Sequence, residues 1–197
     1  MIAILLNDAS FEQDIRELLM AFYPGEIFTH KEEEAGEAEL IVRGVRDGNS
    51  FSLDVTPVRK EAVHFALIYP DFSNRFETKN EIKQTLYRLL SAQTGKELPW
   101  GTLTGIRPTK IALTKLYDGW TDEQIETYMR ETYFTSKEKI DLSIDVAERE
   151  RRLLSTIDYE NGYSLYVGIP FCPTTCLYCS FTSFPIVKWE KRMDLYK

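Results

Sequence analysis

Cys172, Cys176 and Cys179 are all the thiols of the chain, gathered in the run Cys172-Pro173-Thr174-Thr175-Cys176-Leu177-Tyr178-Cys179. Three residues separate the first pair and two the second. An odd count does not complete a disulfide framework, and such frameworks belong to secreted chains. A zinc site usually shows two separated pairs, or cysteines mixed with histidines. The two histidines, His30 and His64, lie far from this run in sequence. Soft thiolates on a short loop also suit an iron–sulfur cluster. A cubane ordinarily takes four cysteines, so three leave one iron without a protein ligand, and an open metal position is where chemistry happens. Zinc, or a set of merely reduced thiols, is the competing reading.

Before this loop, Tyr163 to Ile169 reads as a short β-like run that Pro170 ends. The cysteines then fall on a loop at the carboxyl end of a strand, where α/β barrels place their reacting groups. Pro173 and the two threonines tighten that loop, and its amides are potential donors to cluster sulfurs. A second constrained stretch runs from Leu98 to Lys110, with two glycines, two prolines and three threonines. Pro108 suits the first turn of a helix continuing through Ile111, Leu113 and Leu116. Arg107 and Lys110 near that start could bind an anion; equally, Arg107 could bridge to an acidic side chain.

The elements that must position these loops are legible from periodicity. Ile2 to Leu6 reads as a buried strand. Ser10 with Gln13 resembles a capping box, ahead of a helix with Phe11, Ile15, Leu18, Leu19 and Phe22 on one face. Pro24-Gly25 stops it, and Glu26 to Thr29 is a short strand. Leu40 to Arg46 is a clearer strand, followed by an Asp47-Gly48 turn and the alternating Phe51, Leu53, Val55. Ala62 to Tyr69 is a further strand candidate, with His64 packed or at an edge rather than a ligand. A helix from Lys79 to about Gln93 turns Ile82, Leu86, Leu89 and Leu90 inward and ends at Thr94-Gly95. Thr121 with Gln124, and Thr135 with Glu138, open two more helices, with Ile125, Tyr128 and Met129, then Ile140, Ile144 and Ala147, on their apolar sides. A polar turn is expected at Asp158 to Gly162, and a helix from Trp189 to Tyr196.

With 197 residues and 43% hydrophobic content the chain can bury a proper core as one large or two small domains. A net charge of −7 argues against a nucleic-acid partner. The acidic run from Lys31 to Glu39 reads as a solvated loop. Met1 to Leu6 is too short to span a membrane. Unpaired thiols point to a reducing, cytoplasmic setting.

The cysteine loop resembles the signature of the radical S-adenosylmethionine (SAM) superfamily, in which three cysteines so spaced hold a 4Fe-4S cluster and SAM binds the fourth iron. An aromatic residue precedes the last cysteine there, and Tyr178 fills that position. Tyr166 to Phe171 resembles the oxygen-independent coproporphyrinogen III oxidase group, where a tyrosine six residues before the first cysteine contacts SAM; Tyr166 matches it. Barrel packing is the other reading of both tyrosines. The oxidase proper has a further cysteine where this chain has Phe181 and a histidine where it has Gly168; Phe181 is more like a related haem-chaperone branch. The Leu98–Lys110 block is similar to the HemZ-type branch, which carries an extra amino-terminal domain ahead of its barrel.

The resemblance implies an oxidoreductase of haem biosynthesis. A SAM-derived radical would abstract hydrogen from the propionates of coproporphyrinogen III, and their oxidative decarboxylation would leave vinyls. Electrons would come from a donor of the flavodoxin or ferredoxin class. The alternative is a haem-binding or haem-chaperone protein of the same superfamily. A full barrel needs roughly 200 to 250 residues, so the chain is expected to be an amino-terminal portion that does not turn over substrate alone. The expected class is α/β. Residues 1–97 form an α+β accessory domain with a small mixed sheet and packed helices, and 98–157 form a constrained loop plus helical segment. Residues 158–197 form the first strand, cluster loop and first helix of a truncated barrel. Cys172, Cys176 and Cys179 are the expected metal ligands and Tyr166 and Tyr178 the expected SAM contacts; the substrate is a porphyrinogen or haem-type molecule.

Overall fold

Strand β1, Ile2–Leu6, is apolar at every position and sits inside a five-stranded sheet. A computed structural model describes residues 1–58, 63–158, 161–181 and 183–196. Helix α1, Glu12–Phe22, follows a 3-10 turn at Ala9–Phe11. Strands β2 (Phe28–Thr29), β3 (Leu40–Asp47), β4 (Ser50–Pro57) and β5 (His64–Ile68) complete the sheet. Its order is β2-β1-β3-β4-β5. β1 is parallel to both neighbours, and β3, β4 and β5 run as an antiparallel meander, so the sheet is mixed as expected. Ala62, the first residue of the expected fifth strand, lies outside the described residues.

The alternation in β4 does what its period dictates. Phe51, Leu53 and Val55 are wholly buried, with Val42 of β3 opposite Val55. They meet Ile15, Leu18, Leu19 and Phe22 of α1 and Ile82, Leu86 and Leu90 of helix α2, Arg75–Thr94, in one core. Each fully buried Leu, Ile or Phe contributes about 1.5–3 kcal/mol. Gly95 ends α2 at φ 69°, its N–H on the Ser91 carbonyl, the left-handed cap that glycine favours.

Helices α3 (Thr109–Tyr117), α4 (Asp122–Tyr133) and α5 (Lys137–Leu154) pack around a second core of Leu113, Leu116, Ile125, Met129, Ile140, Ile144 and Ala147. Thr121 and Gln124 form the expected reciprocal capping box.

Four local expectations are corrected. Asp8, not Ser10, caps the first helical turn by accepting the Ser10 N–H at 2.9 Å, while Gln13 turns to Glu17 instead of reaching back. That bond, with Arg46 at 3.0 Å, holds the Asp8 carboxyl below its ordinary value. The Lys31–Glu39 run keeps Glu32, Glu33, Glu37 and Glu39 exposed as expected, but it is no plain loop: it holds a 3-10 turn at Glu32–Glu37. Its buried Ala35 packs with Ala38 on Ala3 and Leu5, and Arg43 grips Glu32 through both guanidinium nitrogens at 2.7 and 3.2 Å. Helix α2 starts at Arg75 rather than Lys79, because Asn74 caps the Glu77 N–H and the buried Thr78 hydroxyl donates to the Asp71 carbonyl. Ser136, not Thr135, caps α5 through the Lys139 N–H.

Residues 1–155 form one compact unit and 156–197 another. The second holds strands β6 (Phe171–Cys172) and β7 (Phe184–Pro185) and short helices α6 (Ile186–Trp189) and α7 (Met193–Tyr196). The continuous helix expected over Trp189–Tyr196 is interrupted by a 3-10 turn at Glu190–Arg192. The expected strand over Tyr163–Ile169 does not form; a strand needs a ladder partner, and among the described residues the pairing lies beyond it, at Phe171 and Cys172. The expected Asp158–Gly162 turn closes through Gly162 N–H on the Asp158 carbonyl at 2.9 Å, with residues 159 and 160 outside the described set.

Candidate metal-binding loop

The cysteine loop starts from a two-residue ladder. Phe171 pairs with Phe184 and Cys172 with Pro185 in parallel register, and the Phe184 N–H donates to the Pro170 carbonyl at 2.7 Å. Phe171, Phe184 and Trp189 stack on one another with centroids 5.5 to 6.5 Å apart. Edge and tilted aromatic contacts of this kind add about 0.5–1.5 kcal/mol each beyond area burial, so the base of the loop is held by a small aromatic cluster. In the sequence Phe171 figures only in the Tyr166–Phe171 resemblance and Trp189 only as a helix start, and nothing there joins them with Phe184; their aromatic type on either side of the cysteine run is the available signal.

Cys172 lies within β6 and is half-buried. Cys176 is exposed and Cys179 half-buried. The Cys179 N–H donates to the Cys176 carbonyl at 3.0 Å, closing a turn between the last two thiols. The Cys179 thiol reaches the Phe181 carbonyl at 3.8 Å. All three are free cysteines. Among the described residues no three of His, Cys, Asp or Glu converge in a geometry that could hold a metal. The loop thus supplies three free thiols on a short, solvent-reached segment without drawing them together. Their chemistry fits an iron–sulfur cluster: soft donors, no competing carboxylate or imidazole in the run, and a backbone turn between the second and third.

Tyr166 and Tyr178 are both largely exposed, at 81% and 90%. Tyr166 folds its ring toward Gly168, where an added Cβ would come within 3.1 Å of a ring carbon. Neither tyrosine is packed into a core within its own unit.

The second candidate stretch, Leu98–Lys110, is tied into the first unit at many points. Leu98 N–H donates to the Tyr87 hydroxyl, Ser136 N–H to the Pro99 carbonyl, and Thr102 N–H to the Tyr133 carbonyl. The largely buried Lys83 amine donates to Thr104, whose hydroxyl donates to Glu17 at 2.8 Å. Burial pushes the Lys83 amine below its ordinary value, against the pull of Asp14 and Glu17. Arg107 is engaged by Glu150 of α5, so the bridging role is realised, and Lys110 stands exposed at the start of α3.

Of known proteins, the oxygen-independent coproporphyrinogen-III oxidase-like protein HemZ of Bacillus subtilis (strain 168) is 36% identical over 127 residues. The match takes in 62% of this chain and 25% of that protein. No family model and no solved structure matches the chain. The chain spans about a quarter of the curated relative it matches, and it is similar, over that stretch, to a protein of the HemZ type.

Proposed function

We propose that this chain is part of a radical SAM oxidoreductase of the coproporphyrinogen III oxidase-like kind. The observation that carries the reading is the run of three free thiols at Cys172, Cys176 and Cys179 on a solvent-reached loop, in a chain 36% identical to HemZ over 127 residues. These cysteines would hold a 4Fe-4S cluster, leaving one iron for the amino and carboxylate groups of SAM. When bound, cluster and cofactor supply one-electron chemistry, here the hydrogen abstraction that opens oxidative decarboxylation of a porphyrinogen propionate.

The protein's own share is binding and orientation. Thiolates at the three positions neutralise iron charge, and each must lose its proton on binding, so cluster loading is favoured by rising pH. Tyr166 and Tyr178 present exposed rings beside the loop, suited to cover an adenine or methionyl group. The aromatic trio of Phe171, Phe184 and Trp189 holds the base of the loop, and Cys176 is exposed on it. Among the described residues no helix is long and apolar enough to cross a membrane. A reducing cytoplasm is the setting in which free thiols and an oxygen-sensitive cluster persist. Electrons would come from a donor of the flavodoxin or ferredoxin class and, because the match takes in 25% of the relative, this chain alone is proposed not to turn over substrate.

A haem chaperone of the same superfamily is the second reading, favoured by Phe181 and Gly168 in place of the oxidase's cysteine and histidine. The test is anaerobic reconstitution of the chain with iron and sulfide, then electron paramagnetic resonance of the reduced sample with and without SAM. A signal that changes with SAM supports an open iron; zinc preference, or a signal indifferent to SAM, overturns the reading. Haem titration of the same sample separates the chaperone, which would bind haem stably.

A further inference from the structure

A cavity of about 710 Å³ opens in the first unit between α2, the segment following it, and the turn from α4 into α5. Its size is that of small-molecule sites in general. Thr135 lines it, is 2% exposed, and its hydroxyl has no hydrogen-bond partner among the described residues. Ser91, on α2, lines it too, and its hydroxyl is likewise buried without a partner. Buried hydroxyls left unpaired cost about 1–3 kcal/mol each, so two at one cavity wall need an explanation.

The charges on the walls are unevenly used. Arg130 is paired with Glu126 at 3.1 Å, and Glu138 with Lys139 at 2.9 Å. Arg88 makes no ion pair among the described residues; its guanidinium lies over the Phe134 ring at 4.9 Å. Glu97 likewise makes no ion pair among the described residues. An exposed cation and an exposed anion, neither in an ion pair among the described residues, therefore face a single cavity whose apolar wall includes Leu98, Pro99 and Phe134. The amino end of α5, an 18-residue helix, adds first-turn N–H groups beside Thr135.

We infer that this cavity binds a small zwitterion, an amino acid with an apolar side chain. Its carboxylate sits between Arg88 and the amino end of α5, where the Thr135 hydroxyl donates to it. Its ammonium faces Glu97, and its side chain packs on Phe134. A ligand carrying both charges meets Arg88 and Glu97 at once and gives the Thr135 hydroxyl an acceptor. The inference stands independently of the cysteine loop.

The test is calorimetric or NMR titration of the full chain with L-phenylalanine, 3-phenylpropionate, which lacks the ammonium, and 2-phenylethylamine, which lacks the carboxylate. Phenylalanine is expected to bind at about millimolar Kd or tighter, and each single-charge analogue about tenfold more weakly. Arg88→Gln and Thr135→Val are each expected to weaken phenylalanine by about tenfold. Thr135→Val should melt at or above the parent, because it removes an orphaned hydroxyl; a purely structural threonine would lower the melt and leave affinity alone. If Thr135→Val does not fold, Ser91→Ala serves the same comparison. Equal binding of the three compounds, unchanged affinity in the variants, or no binding at about 10 mM, roughly ten times that Kd, overturns the inference.

Discussion

Gly101 lies directly against the Tyr133 carbonyl: a Cβ built on it would overlap that oxygen and the backbone of Phe134. Its φ is also 57°, in the left-handed region. The loop after α2 and the end of α4 approach this closely because Thr102 N–H, the next residue along, donates to the same carbonyl at 2.8 Å. Backbone cannot yield as a side-chain tip can. Gly101→Ala is therefore expected to cost about 3 kcal/mol or more, from left-handed strain plus overpacking. Gly105, in the same loop, has open space at its Cβ position and no such φ, so Gly105→Ala should change stability by less than about 0.5 kcal/mol. Urea denaturation of the two variants against the parent measures the contrast.

The exposed ion pair of Arg107 with Glu150 joins the same loop to α5. The arginine side chain is 58% exposed, so solvent screens the pair. A double-mutant cycle over Arg107→Ala and Glu150→Ala should give a coupling of about 0.2–1 kcal/mol, falling as salt rises. A larger, salt-independent coupling would mean that the pair organises the loop.

Much of this scaffold is written locally. The alternation of Phe51, Leu53 and Val55, the Asp47-Gly48 turn, the Gly95 cap and the Thr121–Gln124 box depend only on residues a few positions apart, and each is found where the periodicity puts it. What could not be read depends on distant partners. Asp8 rather than Ser10 becomes the cap, held also by Arg46 across the sheet. The acidic run is pinned by Ala35 on Ala3 and Leu5 and by Arg43. Phe76 at the start of α2 is 52% exposed, so the apolar stripe gives no sign of the first turn. Tyr163 to Ile169 has the composition of a strand, but composition cannot supply the neighbour it would pair with. For the cysteine loop, donor type and spacing are local and legible, but spacing alone does not bring thiols together, and among the described residues the three stay apart.

If the cysteines act as one ligand set, replacing any one of them should lose most of the bound cluster. A serine oxygen is a harder, more basic donor than a thiolate and a poor match for iron–sulfur chemistry. Cys172→Ser, Cys176→Ser and Cys179→Ser are each expected to retain less than about a tenth of the parent's iron after anaerobic reconstitution, following the steep affinity losses seen when metal sites are altered. The parent and variants should melt alike without metal in the first unit, which contains none of these residues. Iron retention by Cys176→Ser equal to the parent would remove that residue from the set.

Lys83 gives the first unit a pH signature on the alkaline side of neutral. Its amine is held below the ordinary value of 10.5, first by burial, with Lys79 adding repulsion and Asp14 and Glu17 opposing. In the unfolded chain the amine titrates normally, so between the two values the unfolded state binds more protons. Stability contributed through this group therefore rises with pH across that window, and the penalty for burying the charge is fully present below it. Lys83→Met removes the ionisable group while keeping the aliphatic stem's volume, and also removes the donor to Thr104. Relative to the variant, the parent should gain stability as pH is raised from neutral toward 10.5, a difference that cancels the titrations both proteins share. Denaturant unfolding of the pair at pH 7 and pH 9.5 measures it. A difference independent of pH would mean that Lys83 titrates in the folded chain as it does in the unfolded one, with Thr104 and Glu17 compensating its burial in full.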